Sequence, residues 1–590
     1  MDTAASKDAD TTIGKVAAKR SIYPPLIDDP DLTEEGSSPS KNWAIRCLEL
    51  EPGTGDEELS CRLVPYHLGE IGGKYEALSY TWGNSEKNRT IHVNGQPFKI
   101  TRNLESALRH LRRPQNERVL WIDALCINQK DMSEVNKCVQ RMWAIYEKAR
   151  NVVVFLGESR FGSDEALHLL FELTCLPVEV RDRHDQITRL LQDNGRSSQW
   201  NALLELMHRP WWGRAWVIQE FAVARKTIFL CGSARLGGHD FEQALEYLID
   251  YRYNAMVPQR WLHLVRQVAS TPISHLLTIR RHYQLSRNKQ NGSALDILYR
   301  SRSSMAFDAR DKVYSLFRLI SENPKLQPDY DRPIGDLYKD VVEAMVESSG
   351  TLEILSHHNR GVVGIPGLPS WCPDWSVLHG KRLILWKKEY SAAGGSRAQA
   401  SIHGDTLTIK GKVLDRIQWV SHAFEARHLG DKNKLYTIVM EVKKNALNKA
   451  SIANKRKTDM TAEFRETLVN SRVLEKGLDG WKSRVLDSNT IEKMWNAWPL
   501  SLQESRPLDS ERKKLVKVFQ DAMYSSLYGR AFFVSQQGYL GLVDRSAQIG
   551  DVVMVGLGGE VLFALHEMNR KLNFSSTDSE HTRYQLVGEW

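Results

Sequence analysis

Apolar positions change their spacing along the chain, and each change predicts a different element. WAIRCLEL (43–50) alternates as a strand does, and CRLVPYHL (61–68) follows after the polar break EPGTGDEE. YEALSYTW (75–82), VLWIDAL (119–125), NVVVFLG (151–157) and KTIFLCG (226–232) are short, nearly continuous apolar runs, the pattern of strands buried on both faces. TIHVNGQPFKI (90–100) predicts a hairpin, with Asn94 and Gly95 as its left-handed turn residues. Between these runs the spacing becomes helical. Thr101 is placed to cap a helix whose Leu104, Ala107, Leu108 and Leu111 share a face. A second helix begins near Ser133, others cover about 163–175 and 197–208, and RPWWGRAWVIQEFAVA (209–224) is expected to be helical.

Strands alternating with helices from 75 to 232 predict an α/β fold, a parallel sheet with helices on both faces. Ligands of such sheets sit beyond the carboxyl ends of the strands, here just after Tyr80, Asp123, Gly157 and Gly232. Residues 1–40, rich in Ala, Ser, Asp, Thr and Pro, are expected to be a mobile tail. An α/β domain takes 41–235 and a mainly helical region 236–380. The span 381–590 is a small β unit, built from TLTIKGKVLDRIQWV, RAFFVSQQGYLGLV, DVVMVGLGG and EVLFALHE. A polar, helix-like insertion at about 423–528 divides it.

Composition narrows the function classes. The 590 residues are 42% hydrophobic and 26% charged, which excludes a mainly disordered or fibrous chain. The net charge of +8 is too dilute to argue for nucleic acid, and the basic runs at 443–457 and 511–517 are expected to be solvated helix faces. Seven cysteines (47, 61, 126, 138, 175, 231 and 372) include no C-x-x-C pair. They fit a reducing compartment rather than a disulfide or thiolate-zinc framework. No run of about 18 apolar residues predicts a membrane span, and the first twenty residues do not resemble a signal peptide. The expected compartment is cytoplasmic, with nuclear the alternative. Tryptophan is unusually common: 17 Trp against 16 Phe.

Simple catalytic signatures are missing. GEIGGK (69–74) has three residues between its glycines where a P-loop has four, and GLGG (556–559) lies between strands, so both are expected to be turns. The histidines show no metal-ligand spacing, so no metal site is expected. Cys126 stands just past a strand end without a local histidine, and is expected to pack under its loop.

What does stand out is an ordered set of blocks. ALSYTWG, TRNLESALRHLR, LWIDALCINQKD, MWAIYEKARNVVVFLG and RPWWGRAWVIQE follow one another between 77 and 220. Together they resemble the heterokaryon-incompatibility (HET) domain, a fungal module of non-self recognition and programmed cell death. AFDARDKVYSLFRLI, PDY (328–330), LPSWCPDWS and GRAFFVSQQGYLGLVDRSAQIGDVVMVGLGG resemble accessory segments of full-length HET proteins. The HET domain is in turn similar to the TIR domain, a flavodoxin-like βα module of death signalling, which implies a flavodoxin/TIR-like parallel sheet here. That resemblance aligns ALSYTW, WIDA and VVVFLG with the first three TIR strands, and puts CINQKD in place of the loop through which TIR domains self-associate. It implies action through protein partners or self-association, with no resident cofactor required.

WWGRAWVIQE resembles the TIR motif in which a glutamate cleaves NAD. It makes Glu220 the candidate catalytic residue and NAD a possible substrate. A single carboxylate can stabilise the oxocarbenium-like state as nicotinamide leaves. If 209–224 is one helix, Trp212, Trp216 and Glu220 fall at i, i+4 and i+8 and present an aromatic wall beside the carboxylate. Ser79, Trp82, Asp123 and Asn128 complete the candidate nucleotide-binding set. The competing reading stays open: Glu220 pairs with Arg209 or Arg214, the tryptophans are core, and Asp123 and Asn128 cap the following helix. Asp308, Arg310 and Asp311 are expected to form an ion-pair network.

Overall fold

The computed structural model describes residues 21–28, 42–84, 86–251, 258–269, 272–287, 294–320, 324–357, 364–377, 390–453, 459–477, 480–502, 508–568 and 584–589. Two compact units result: Met1–Trp212 with Glu220–Leu277, and Gly213–Gln219 with Thr278–Trp590. Of the expected tail, 1–20 and 29–40 lie outside the described residues, whereas Ser21–Asp28 is held by side-chain contacts from the first unit.

The first unit is built on one nine-stranded sheet. Its strands are β1 (Ala44–Leu50), β2 (Ser60–His67), β3 (Glu76–Tyr80), β4 (Arg89–Val93), β5 (Gln96–Ile100), β6 (Arg118–Trp121), β7 (Asn151–Phe155), β8 (Thr227–Cys231) and β9 (Ala234–Gly237). They lie in the order β5-β4-β2-β1-β6-β3-β7-β8-β9. At its centre β6, β3, β7 and β8 are parallel neighbours. Numbered among themselves they run 2-1-3-4, the doubly wound order whose switch point falls between the first and third strands, here β3 and β7. The α/β class is as expected. The sheet, however, is mixed rather than parallel: β1–β2, β1–β6, β4–β5 and β8–β9 pair antiparallel. Those strand pairs that follow one another in sequence are joined by connections too short for a parallel crossover.

Burial explains the central order. All five residues of β3 are buried, as are four each of β7 and β8, so both faces are covered. The helix Met132–Lys148 supplies part of that cover. Tyr146 donates to the Leu78 carbonyl at 3.1 Å, and its ring meets Trp121 edge-on at 5.5 Å. Local signals behave as the sequence predicts: Asn94 (φ 51°) and Gly95 (φ 73°) turn the β4–β5 hairpin, and Thr101 accepts from the Leu104 N–H. The second helix begins at Met132, near Ser133 as expected, with Asp131 as its cap. One boundary moves: VLWIDAL stops as a strand at Trp121, with Asp123 opening a helical turn.

In the second unit six strands form an antiparallel sheet: Leu540–Asp544, Arg530–Ser535, Gly411–Val420, Val552–Gly556, Phe563–Glu567 and Tyr584–Glu589, in that spatial order. Its two edge strands lie beside each other, so the sheet curls toward a small barrel. Alternation divides Arg530–Ser535 between two cores. Ala531 and Phe533 join Ile417, Val543, Val553 and Val587 on one side. Phe532 and Val534 join the helices Lys432–Ala453, Met460–Leu468, Ser488–Ala497 and Ser510–Leu527 on the other. The inserted segment therefore has a packed helical core that includes Trp495, Trp498 and Phe519.

Candidate functional site

β3 carries the site because its carboxyl end meets the switch point. Ser79, the fourth residue of this strand, is 1% exposed, and its hydroxyl donates to the carboxylate of Glu220, itself 3% exposed. The Trp211 indole N–H donates to the same Ser79 oxygen at 2.8 Å. A relay Trp211–Ser79–Glu220 results, in which each donor polarises the next in a region of low dielectric. Trp211 is fixed by edge contacts with Trp212, Phe221 and Phe229.

Three residues along, Trp82 engages a different carboxylate. It is 38% exposed and its indole donates to Asp123 at 3.0 Å. Asp123 also accepts from the Ala124 N–H, and its carbonyl accepts from the Gln129 side chain, so it organises the turn at its own position. Asn128 lies in the following loop. Its N–H donates to Glu134 at 2.7 Å and its side chain accepts from the Lys130 N–H. Ser79 with Glu220, and Trp82 with Asp123, are thus brought together as pairs, while Asn128 is tied to the start of the next helix.

The proposed helical face breaks up. Pro210–Gly213 is a 3₁₀ turn, and the α-helix begins only at Trp216, running to Val223. Trp212 therefore does not stand one turn before Trp216 on the same face. It is buried, stacked near Phe229 and Phe241, and its indole donates to the Leu206 carbonyl. Trp216 hydrogen-bonds Asp311 within the second unit. Of the tryptophan pair it is Trp211, not Trp212, that reaches the Glu220 network. The adjacent pair in RPWWG was the signal, and the turn geometry decides between its members. Arg209, a candidate partner of Glu220, donates to Ser163.

The expected ion-pair network is half realised. Arg310 pairs with Asp308 at 2.7 Å, but Asp311 accepts hydrogen bonds from Tyr330 and Trp216. Burial, the largest influence, raises the Asp311 carboxyl to about 6. Tyr330 belongs to the PDY motif, so two of the accessory blocks meet through this bond. Cys126 is buried and its thiol is pushed up to about 12, chiefly by desolvation, which leaves no thiolate nucleophile at neutral pH. Among the described residues no group of three His, Cys, Asp or Glu side chains could hold a metal ion, and no helix is long and apolar enough to cross a membrane.

The model of the family described as Heterokaryon incompatibility protein (HET) matches residues 75–220. The chain carries a HET domain. The match opens one residue before β3 and closes on Glu220, so the HET domain contains the whole Trp211–Ser79–Glu220 relay. A curated relative, Heterokaryon incompatibility protein 6, OR allele, of Neurospora crassa, is 24% identical over 442 residues. The alignment covers 64% of this chain and 63% of that protein, so the chain spans less than two thirds of its relative's length. No solved structure matches the chain. β1 and β2 lie outside the family match, yet β1 pairs with β6 and so extends the HET-domain sheet.

Proposed function

We propose that the chain is a heterokaryon-incompatibility-type signalling protein of fungal non-self recognition and programmed cell death, acting inside the cell through self-association of its HET domain. The observation that carries this reading is the state of Glu220. The domain's most suggestive carboxylate is 3% exposed and occupied by Ser79, an arrangement suited to holding the carboxyl end of β3 rather than to meeting a ligand. Expression of the full chain in fungal cells under an inducible promoter tests it. Growth arrest is expected, and harmless accumulation of folded protein would count against the reading.

Position favours a second reading. Glu220 adjoins the carboxyl end of β3, where doubly wound sheets bind ligands, and the resemblance to TIR enzymes assigns that glutamate to NAD cleavage. Concentrated, purified chain incubated with NAD would then release nicotinamide, and Glu220→Gln would abolish the release. Full activity in that variant sinks the assignment. If NAD, ADP-ribose or ATP instead bind with heat by calorimetry and no product forms, the domain is a nucleotide sensor.

A further inference from the structure

The segment Ser21–Asp28 lies on the first unit without adding a strand to its sheet. Contacts that each involve a side chain hold it at three points. The Ile22 carbonyl accepts from the Asn94 side chain at 2.8 Å, beside which the Tyr23 ring meets Phe98 edge-on. The Pro24 carbonyl accepts from Arg46 Nε at 2.7 Å, and the Arg46 guanidinium sits 5.2 Å from the centre of the Tyr23 ring. Asp28 receives two hydrogen bonds from Arg141, at 2.9 and 2.6 Å, and a third from the Ala44 N–H at 2.9 Å. These contacts hold its carboxyl below the usual aspartate range, although burial works against them. The seat thus holds the segment through the Ile22 and Pro24 carbonyls, the Tyr23 ring and the Asp28 carboxylate.

Arg46 connects this seat to the loop that precedes the helix Met132–Lys148. It is 3% exposed, bonds the Cys126 carbonyl at 3.2 Å and grips both oxygens of Glu134. Glu134 in turn accepts the Asn128 N–H. Occupation of the seat and the conformation of residues 126–131 therefore share one buried guanidinium.

We propose that this seat is a self-association site, and that its exchangeable ligand is the Ser21–Asp28 segment of a second copy of this chain. The argument for that occupant is that the sequence seen to fit the seat is the chain's own, present in every other copy. Residues 29–41 stand between Asp28 and Asn42 in the sequence. Thirteen residues can span up to about 45 Å, enough to deliver the segment to a neighbour as in domain swapping. The inference deepens the self-association part of the functional reading and rests on it. Its test measures assembly and not killing, so the two can fail separately.

Reversing the Asp28–Arg141 pair gives the experiment. In the full chain, Asp28→Lys places a cation against Arg141 and Lys137, and Arg141→Glu opposes Asp28 with a carboxylate. Each variant alone is expected to sediment as a monomer with native circular dichroism. An equimolar mixture is expected to form a dimer, because each segment then fits only its partner's seat. The double variant Asp28→Lys/Arg141→Glu restores the pair in cis and returns to wild-type behaviour. Amide exchange at Asn128 should be fast in each single variant and slow in the mixture. A mixture that sediments no faster than its components overturns the exchange, and unchanged Asn128 exchange overturns the coupling to the loop.

Discussion

A single indole nitrogen decides how the Glu220 network is wired. Trp211 contributes a ring to the aromatic cluster and an N–H to Ser79, and the two roles separate on substitution. Trp211→Phe keeps most of the packing and removes the donor, so unfolding in urea should show a loss of about 1 kcal/mol. Titration distinguishes two half-buried aspartates of the second unit by sign. Asp311 is raised to about 6, so its contribution is full below about 3.8 and is lost as pH rises through about 6. Asp296 is lowered to about 2: burial opposes, but His282 and Arg300 prevail, so its contribution is present above about 3.8 and lost as pH falls through about 2. Urea unfolding across pH should therefore show Asp311→Asn gaining on the wild type between about pH 4 and 6, by up to about 3 kcal/mol. Asp296→Asn should instead cost about 2 kcal/mol at pH 7. The sequence blocks contain both Glu220 and Ser79, but not the hydrogen bond that joins them. Nor was the choice of Trp211 over Trp212 legible. A 3.6-residue period was extended across Gly213, where the chain winds as a tighter 3₁₀ turn and the face is lost.

At the level of elements, local chemistry was the readable part. Asn94-Gly95, the Thr101 cap and the β-branched run of β7 each specify their element without outside help. Pairing between distant strands was not readable, since nothing in WAIRCLEL announces that β1 will lie against β6, some seventy residues on. The helix Val180–Gln192 is not legible in the apolar pattern either, because charged residues surround its narrow buried stripe of Arg183, Ile187 and Leu191. Some element contacts leave no room at all. Gly238 opens the helix Gly238–Tyr251, and a Cβ there would stand 1.7 Å from the Thr227 hydroxyl and 2.9 Å from its carbonyl on β8. The hydroxyl can turn away, whereas the carbonyl is held by the strand. Gly238→Ala should accordingly lower stability by about 1–3 kcal/mol, seen as a shift in the midpoint of thermal or urea unfolding.

Across the whole molecule, the layout in the chain was more legible than its consequences. Alternating patterns gave the α/β domain and the late β unit, and the literal blocks gave the HET domain. The insertion looked polar because its apolar residues are spread over four helices, and only their packing reveals a common core. The curled six-stranded sheet has a further effect, on time rather than energy. Gly411–Val420 must pair with Arg530–Ser535 across the insertion, and this register cannot form until the ends of that long segment meet. Closing so long a loop is slow when the loop is a coil. If the inserted helices collapse first, around Trp495 and Trp498, they bring the two strand ends together. Stopped-flow refolding should thus show early tryptophan burial in the insertion, followed by slower amide protection in the strands. Trp498→Ala, which opens the core of the insertion at a residue outside the strands, should slow strand protection as well, making the inserted helices a built-in chaperone for the curled sheet that they interrupt.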